Sequence, residues 1–178
     1  TDKESQLFLV DLGRGKDRMG GSGLDQTLSY TNHESPNINK LDDLLNYYKF
    51  TQELVRKNVL NAYHDRSDGG LITTLIEMAF VSNMSVDIKN VSRKSKTELI
   101  RFLFNEELGG IFAIDKKYEK EFIKLTHKYN LEAITHNIGN ITKKGKPMLK
   151  ITACNYSEQI SKLRKYWSEL SYLIQSER

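Results

Sequence analysis

The sequence predicts an α/β (α+β layered) domain in which a mixed β-sheet packs against helices. Short apolar runs alternate along the chain with longer segments whose apolar residues recur at helical spacing, and this alternation is typical of layered folds. The chain has 178 residues, of which 38% are hydrophobic and 28% charged, with 11 glycines and 2 prolines. That composition excludes collagen-like and disordered chains, and the length fits a single core.

Three short segments in the first two thirds of the chain predict strands. Residues 7–10 (LFLV) form a continuous apolar run that the segment at 11–13 stops, as is typical of a strand inside a sheet. Residues 61–64 (NAYH) and 110–114 (GIFAI) predict two further strands.

A hairpin is predicted later in the chain. Its strands are expected at about residues 132–142 and 148–153, with KKGKP at 143–147 as the turn. This basic cluster is compatible with a nucleic-acid patch or a solvated turn, and we expect the turn.

Four segments have the apolar spacing of amphipathic helices. They cover about residues 41–58, a stretch after the turn at 67–70, a stretch opened by the capping-box sequence SKTE at 95–98, and about residues 118–129. The first is expected to turn this apolar face towards the core: Leu41, Leu44, Leu45, Tyr48, Val55 and Val59.

A final helix is predicted at about residues 158–175. Its regular stripe of apolar side chains is expected to dock on the domain, and it consists of Ile160, Leu163, Trp167, Leu170 and Ile174. The 12 residues at 29–40 (SYTNHESPNINK) read as a loop.

Charge and composition restrict the class of protein. The 27 Lys+Arg and 23 Asp+Glu give a net charge of +4, too mild and too scattered to indicate a nucleic-acid partner. No apolar run approaches the ~20 residues of a membrane span, and the polar start is not a signal peptide. We therefore expect a soluble, cytoplasmic protein without a membrane partner. The lone Cys154 excludes an intramolecular disulfide and is expected to be a buried structural thiol.

A glycine-rich segment follows the first strand, with five glycines at residues 13–23 (GRGKDRMGGSG). Such a segment lets backbone amides approach a phosphate, but the spacing alone favours a flexible loop that leads tightly into a helix. The P-loop pattern is excluded because Lys16 is followed by Asp17 rather than by Ser or Thr, and no G-x-G-x-x-G spacing occurs.

Residues 62–71 (AYHDRSDGGL) join a strand end to a helix start through two glycines, a layout suited to anion binding by free helix amides. Asp65 could hold Mg²⁺ through oxygen, and the Ser67 hydroxyl could donate to a phosphate oxygen. In the alternative, Asp68 or Ser67 only caps the helix and Asp65 is a turn residue. The residues alone leave both interpretations open, and His64 is expected to be structural.

Residues 104–110 (FNEELGG) contain the adjacent carboxylates Glu106 and Glu107. Such a pair can perform acid–base chemistry, but a helix end with two solvated glutamates is the commoner arrangement and is our expectation.

These three segments, in this order, resemble the phosphoribosylformylglycinamidine synthase family. The match to the second half of the family's synthetase region lies in HDRSDGGL (64–71) with EMAF (77–80), MGGSGLDQ (19–26) upstream and FNEELG (104–109) downstream. Gly23 and Asp25 depart from the family, which usually has alanine at both places.

The resemblance implies a fold like the C-terminal domain of AIR synthase over residues 1–156, with residues 157–178 as a helix leading towards a glutaminase domain. It implies ATP or ADP and Mg²⁺ as ligands, with Asp65 as a metal ligand, Ser67 as a nucleotide contact and no catalytic residue. The implied partners are the remaining domains of the same polypeptide, namely the N-terminal half-domains and the glutaminase domain.

The family converts formylglycinamide ribonucleotide to formylglycinamidine ribonucleotide in purine biosynthesis, using ATP and glutamine. The resemblance therefore implies that this chain forms one wall of a Mg-nucleotide site and is inactive alone. The alternative is a non-catalytic scaffold domain whose nucleotide motif is purely structural. A free-standing kinase-like protein is disfavoured because no residues recognisably complete an adenine pocket.

Overall fold

The computed structural model describes residues 3–91, 93 and 95–176, except for the side chain of Leu170. Seven strands form one sheet in the order β2-β4-β1-β5-β3-β6-β7. Neighbouring strands are antiparallel except for the parallel pair β3–β6. The strands are β1 (Ser5–Asp11), β2 (Leu60–Asp65), β3 (Ser85–Ile88), β4 (Gly109–Ile114), β5 (Thr135–Thr142), β6 (Met148–Ile151) and β7 (Tyr156–Gln159).

The predicted helices are present in the described residues, together with a short one after the glycine-rich segment. Helix α4 begins as the capping box predicts, because the Ser95 hydroxyl accepts a hydrogen bond from the Glu98 amide at 3.1 Å. None of the described helices is long and apolar enough to cross a membrane. The helices are α1 (Gly23–Thr27), α2 (Leu41–Arg56), α3 (Gly70–Ser82), α4 (Lys96–Phe104), α5 (Glu119–Lys128) and α6 (Ile160–Ser176).

The helices cover both faces of the sheet, which confirms the predicted layered fold. Successive side chains of a strand point to opposite faces, so β1 contributes to two separate cores. Leu7 and Leu9 pack with α3, α4 and the start of α6. Phe8 and Val10 pack with α2 and α5 on the other face. Because both faces are covered, β1 reads as the continuous apolar run seen in the sequence.

Helix α2 buries a different face from the one predicted. Tyr47, Phe50 and Leu54 are buried, whereas four of the six predicted core residues are exposed: Leu41, Leu45, Tyr48 and Val55. The other two follow the prediction, since Leu44 is partly buried and Val59, just beyond the helix, is buried. The buried stripe carries the aromatic ring of Phe50, which packs edge-on against Phe112 of β4 and Phe122 of α5. The helix has two apolar stripes, and the one that complements these aromatic rings is turned inward.

The predicted hairpin is wrong, although both of its strands exist. Strand β3 lies between β5 and β6, pairing antiparallel with β5 and parallel with β6. Val86 of β3 thus lies opposite both Ile141 and Leu149 and is fully buried. A direct hairpin would remove β3 from this buried position, so burial of its apolar side chains outweighs the local turn pattern.

Only the start of α6 docks in the manner predicted. Ile160 is buried and Leu163 is partly buried against the same core. Trp167 is 61% exposed and forms an edge-type ring contact with Phe80, at 5.7 Å between ring centroids. Ile174 is also exposed, and the side chain of Leu170 lies outside the described residues. The apolar stripe therefore continues beyond the surface on which the helix packs.

The expectation for Cys154 is also wrong, because this residue is exposed. It ends a short 3-10 turn between β6 and β7, the last two strands at one edge of the sheet, and it belongs to neither core.

Candidate functional site

Sheet pairing brings the three singled-out segments to one end of the sheet. Asp11 at the end of β1 lies opposite Gly109 at the start of β4. Asp65 at the end of β2 lies opposite Gly110 of the same strand. The glycine-rich segment, the HDRSDGGL segment and the FNEELG segment, which adjoin these strand ends, consequently meet in space.

A buried arginine connects all three segments. Arg66 donates from Nη2 to Asp11 Oδ1 at 2.6 Å and from Nε to the Glu107 carbonyl oxygen at 2.6 Å. Asp11 also accepts hydrogen bonds from the amides of Gly13 and Gly15, at 3.1 and 2.7 Å. Two amides of the glycine-rich segment, those of Gly13 and Gly15, are therefore engaged by a carboxylate of the chain itself.

The second glutamate of FNEELG forms a further buried ion pair. Glu107 is 1% exposed and accepts from the Nε and Nη2 of Arg18, at 2.6 and 2.7 Å. The hydrogen bond with Glu107 raises the pKa of Arg18 above its ordinary value, which keeps the guanidinium charged. The expectation of two solvated glutamates is thus wrong for Glu107, whose partner lies 89 residues away in the chain.

Glu106 joins the two glycine-containing turns. Its Oε1 accepts hydrogen bonds from the Gly23 amide at 2.8 Å and from the Gly69 amide at 2.7 Å. The Gly70 amide donates to the Ser67 carbonyl oxygen. The Gly69 and Gly70 amides are therefore engaged within the chain and are not available to an anion. Neither Ser67 nor Asp68 caps α3 with its side chain, so the simple capping alternative is wrong.

The tight turn before α3 depends on its glycines. Gly69 and Gly70 both have positive φ values, of 81° and 73°. A Cβ on Gly70 would lie 2.6 Å from the Phe104 carbonyl carbon, so the HDRSDGGL and FNEELG backbones can approach only because residue 70 has no side chain.

Asp25, which departs from the family pattern, is accommodated by a partner from the 29–40 loop. The residue is 2% exposed, and its Oδ2 lies 2.7 Å from Nδ1 of His33. The other departure is Gly23. A Cβ at this position would lie 3.6 Å from Glu106 Oε1, an ordinary contact distance, so the fold has room for the alanine that the family usually has here. Neither departure disturbs the contacts of Glu106.

Asp65 and Ser67 are both exposed, one at the end of β2 and the other in the turn that follows. Arg66 between them is buried, so the chain turns its cation inward and its two candidate ligands outward. Within residues 3–91, 93 and 95–176, the Ser67 hydroxyl and Asp65 Oδ2 have no hydrogen-bond partner, whereas Asp65 Oδ1 accepts one from the Tyr63 hydroxyl. The Asp65 carboxylate is thus held at one oxygen.

These residues fit a shared magnesium site. Mg²⁺ is usually bound by one or two carboxylates together with substrate phosphates and water, and Asp65 offers one accessible carboxylate oxygen. No cluster of three or more His, Cys, Asp and Glu side chains that could hold a metal occurs in the described part of the chain. Asp65 could therefore supply one carboxylate ligand to a metal ion.

Two tyrosines next to Asp65 were not singled out from the sequence. The hydroxyls of Tyr47 and Tyr63 lie 2.8 Å apart, and burial raises the pKa of both well above that of free tyrosine. The sequence contained a signal for Tyr63, because residues two apart on a strand share a face. No pattern in the neighbouring sequence indicated Tyr47, because this residue lies on α2 and meets Tyr63 only in the folded chain.

His64 lies on the opposite face of β2 from Tyr63 and Asp65. Its Nε2 is 3.1 Å from Glu77 Oε2 on α3, so the contact links the strand to the helix that follows it.

Comparisons with known proteins bear on this arrangement. Residues 9–151 match the family described as AIR synthase related protein, C-terminal domain. The chain is 33% identical, over 184 aligned positions, to the phosphoribosylformylglycinamidine synthase of Schizosaccharomyces pombe. That alignment covers 98% of this chain and 13% of the relative, so the chain spans only a small part of the curated protein.

Solved structures share the fold. PurL of Thermotoga maritima complexed with ATP superposes with a TM-score of 0.64 at 11% identity, covering 90% of this chain and 25% of that one. The same protein complexed with FGAR gives 0.64 at 12% identity, covering 92% and 28%. The hydrogenase maturation protein HypE in complex with ATP gives 0.54 at 15% identity, covering 90% and 50%. At these identities the likeness shows the fold alone.

The family match extends over most of the chain, and the Schizosaccharomyces pombe synthase aligns along nearly all of it. The chain therefore belongs to the family of AIR synthase related proteins, C-terminal domain, and its resemblance to phosphoribosylformylglycinamidine synthases is confirmed.

Proposed function

We propose that this chain is the second C-terminal half-domain of the synthetase region of a cytoplasmic phosphoribosylformylglycinamidine synthase, a ligase of purine biosynthesis. The proposal is supported by 33% identity to such a synthase over almost the whole chain. It also draws on the shared fold of Thermotoga maritima PurL, which has been solved with ATP, with ADP and with FGAR.

The complete enzyme would use ATP to phosphorylate the formyl amide oxygen of formylglycinamide ribonucleotide. Ammonia released from glutamine would then displace phosphate and leave formylglycinamidine ribonucleotide. In this chain, Asp65 would hold Mg²⁺ and Ser67 would donate to a phosphate oxygen. Bound Mg²⁺ supplies charge neutralisation on the phosphates. The remaining domains of the polypeptide would complete the site, and this chain would contribute one wall.

The single observation that carries this assignment is the outward placement of Asp65 and Ser67 on either side of the buried Arg66. The Arg66–Asp11 pair and the Glu106 hydrogen bonds hold the backbone on which both stand. A site with this support is suited to binding a ligand that other domains present to it.

A second candidate is a non-catalytic scaffold domain whose motif is purely structural. It is favoured by the occupied amides, because the chain's own carboxylates take the Gly13, Gly15, Gly23 and Gly69 donors that a phosphate would otherwise use.

The test compares Asp65→Asn, Ser67→Ala and the control Asp68→Asn in the full-length enzyme. Asp68 is an exposed carboxylate in the same turn with no proposed ligand. We expect Asp65→Asn to lose co-purifying nucleotide and Ser67→Ala to lose less, with Asp68→Asn unchanged. If the bound nucleotide stabilises the fold and takes no part in turnover, the melting temperature falls with nucleotide content while kcat is retained. If it takes part in turnover, kcat falls instead. Wild-type nucleotide content in Asp65→Asn would support the scaffold instead.

The purified 178-residue chain should show neither synthetase nor glutaminase activity.

A further inference from the structure

Three polar side chains form a line from the inner face of α2 to the exposed end of β2. The Tyr47 hydroxyl lies 2.8 Å from that of Tyr63, and the Tyr63 hydroxyl donates to Asp65 Oδ1. An ionised carboxylate can only accept hydrogen bonds, so the Tyr63 hydroxyl donates its one proton to Asp65. Tyr47 must therefore be the donor in its hydrogen bond with Tyr63. The line thus has one direction and ends on the carboxylate.

Packing holds both rings in place. Tyr63 lies opposite Phe112 in the β2–β4 pairing, with 4.9 Å between ring centroids, and Tyr47 packs edge-on against the same ring at 6.0 Å. Gly110 lies opposite Asp65. A Cβ at Gly110 would lie 2.3 Å from the Tyr47 hydroxyl oxygen and 3.0 Å from Tyr63 Cε2. The absence of a side chain there makes room for the two hydroxyls.

The hydroxyl of Tyr47 has no other partner among the described residues. Tyr47 is 8% exposed, and a hydroxyl buried to that degree is costly unless it is hydrogen-bonded. Its bond to Tyr63 satisfies it and at the same time fixes the position of the Tyr63 oxygen. An aspartate on an exposed strand end would otherwise populate several rotamers.

We propose that Tyr47 and Tyr63 are positioning residues for Asp65, forming a hydrogen-bond relay that holds Oδ1 and leaves Oδ2 for the metal. The inference rests on the proposed function, in which Asp65 is a Mg²⁺ ligand. Groups that orient a metal ligand commonly contribute 10- to 100-fold to metal affinity. The relay links that affinity to helix α2, which carries Tyr47.

The experiment measures ADP binding to the full-length enzyme by calorimetry, once with Mg²⁺ and once with EDTA. Tyr63→Phe keeps the ring and removes the hydroxyl, so we expect Kd for ADP to rise about tenfold with Mg²⁺ and to stay unchanged with EDTA. Tyr47→Phe should give a smaller rise, of about threefold, because Tyr63 can still reach Asp65. A purely structural role would weaken ADP binding equally in both conditions.

Tyr129→Phe is the matched control. Its hydroxyl donates to Glu53 at 2.5 Å, and its ring packs against Phe50 in the same aromatic core. It therefore removes a tyrosine–carboxylate bond of the same kind without touching the relay. We expect its ADP affinity to equal that of wild type under both conditions.

Two further variants separate the relay from the site on which it depends. If Asp65→Asn leaves the Mg²⁺-dependent affinity at the wild-type value, the proposed function fails and the relay fails with it. If Asp65→Asn weakens binding but Tyr63→Phe does not, the relay alone is overturned. The double variant Tyr47→Phe/Tyr63→Phe should be no worse than Tyr63→Phe, because the two hydroxyls act in series. Additive losses in the double variant would overturn the relay. If Tyr63→Phe does not fold, Tyr47→Phe serves as the test, and an unchanged Mg²⁺-dependent affinity for ADP in that variant would overturn the relay.

Discussion

Arg66 and Asp11 form a buried ion pair, with 2.6 Å between Nη2 and Oδ1, that joins the turn after β2 to the end of β1. Because Arg66 points inward, its neighbours Asp65 and Ser67 point outward. The pair therefore determines which side chains of the HDRSDGGL segment can meet a ligand.

Asp11→Asn is expected to lower the free energy of unfolding by about 3–5 kcal/mol, because it leaves the buried Arg66 charge without its counterion. Urea denaturation followed by circular dichroism measures the change. Glu158→Gln is the control, since the Lys162–Glu158 pair is exposed and its loss should leave the denaturation midpoint unchanged. A wild-type midpoint for Asp11→Asn would contradict the structural role of the pair.

Glu106→Ala removes the acceptor of two backbone amides, those of Gly23 and Gly69. We expect a loss of about 1–3 kcal/mol in unfolding free energy, at about 0.5–1.5 kcal/mol for each bond. Hydrogen exchange at both amides should become faster. Glu106→Gln retains a carbonyl oxygen and should recover most of the protection. Unchanged exchange at Gly69 in the alanine variant would show that Glu106 does not hold this turn in solution.

Asp17 should make stability depend on pH. Burial raises the pKa of Asp17 above its usual 3.8, and the Arg93 guanidinium, 3.2 Å away, offsets this only in part. As pH rises above 3.8, Asp17 loses its proton in the unfolded chain before it does so in the folded chain. Between 3.8 and the raised pKa the folded state therefore binds more protons, and the free energy of unfolding falls as pH rises. Thermal melts should show that Asp17→Asn becomes more stable relative to wild type across this interval.

Asp115 provides a control of opposite sign. The hydrogen bond from the Lys117 amide lowers the pKa of Asp115, so its stabilisation is present above 3.8 and is lost as pH falls below that value. Asp115→Asn should therefore lose stability relative to wild type as pH rises towards 3.8. If Asp17→Asn shows the same sign as Asp115→Asn, the burial of Asp17 is refuted.

The fluorescence of Trp167, the only tryptophan of the chain, reports on α6. Because the residue is 61% exposed, we expect red-shifted emission from the isolated chain and ready quenching by acrylamide. Ile160→Ala should cost about 2–4 kcal/mol as a core truncation, whereas Trp167→Ala should cost less. Blue-shifted emission that acrylamide does not quench would indicate that the helix docks along its whole stripe.

Local patterns located most of the elements but did not always orient them. The helix at 41–56 follows from apolar spacing alone. Which of its two stripes is buried depends on Phe112 and Phe122, and these come from other elements. The same reason explains the failed hairpin, because β3 competes with the local turn for the place beside β5.

The candidate site was only partly accessible to sequence reasoning. Asp65 and Ser67 follow from the HDRSDGGL pattern and from resemblance to the family. The buried role of Glu107 could not be predicted, because its partner Arg18 lies 89 residues away. Adjacent glutamates look alike in sequence whether they are solvated or paired, and only the approach of distant segments distinguishes them.

The sequence by itself determined the layered α/β class, the places of most helices and strands, and the family to which the chain belongs. These follow from periodicity and from short motifs, which depend on neighbours within a few residues. The tertiary structure decided the strand order, the inner face of α2, the occupation of the glycine amides by Asp11 and Glu106, and the line from Tyr47 to Asp65. Each of these depends on contacts between segments far apart in the chain, whose free energy no local pattern records.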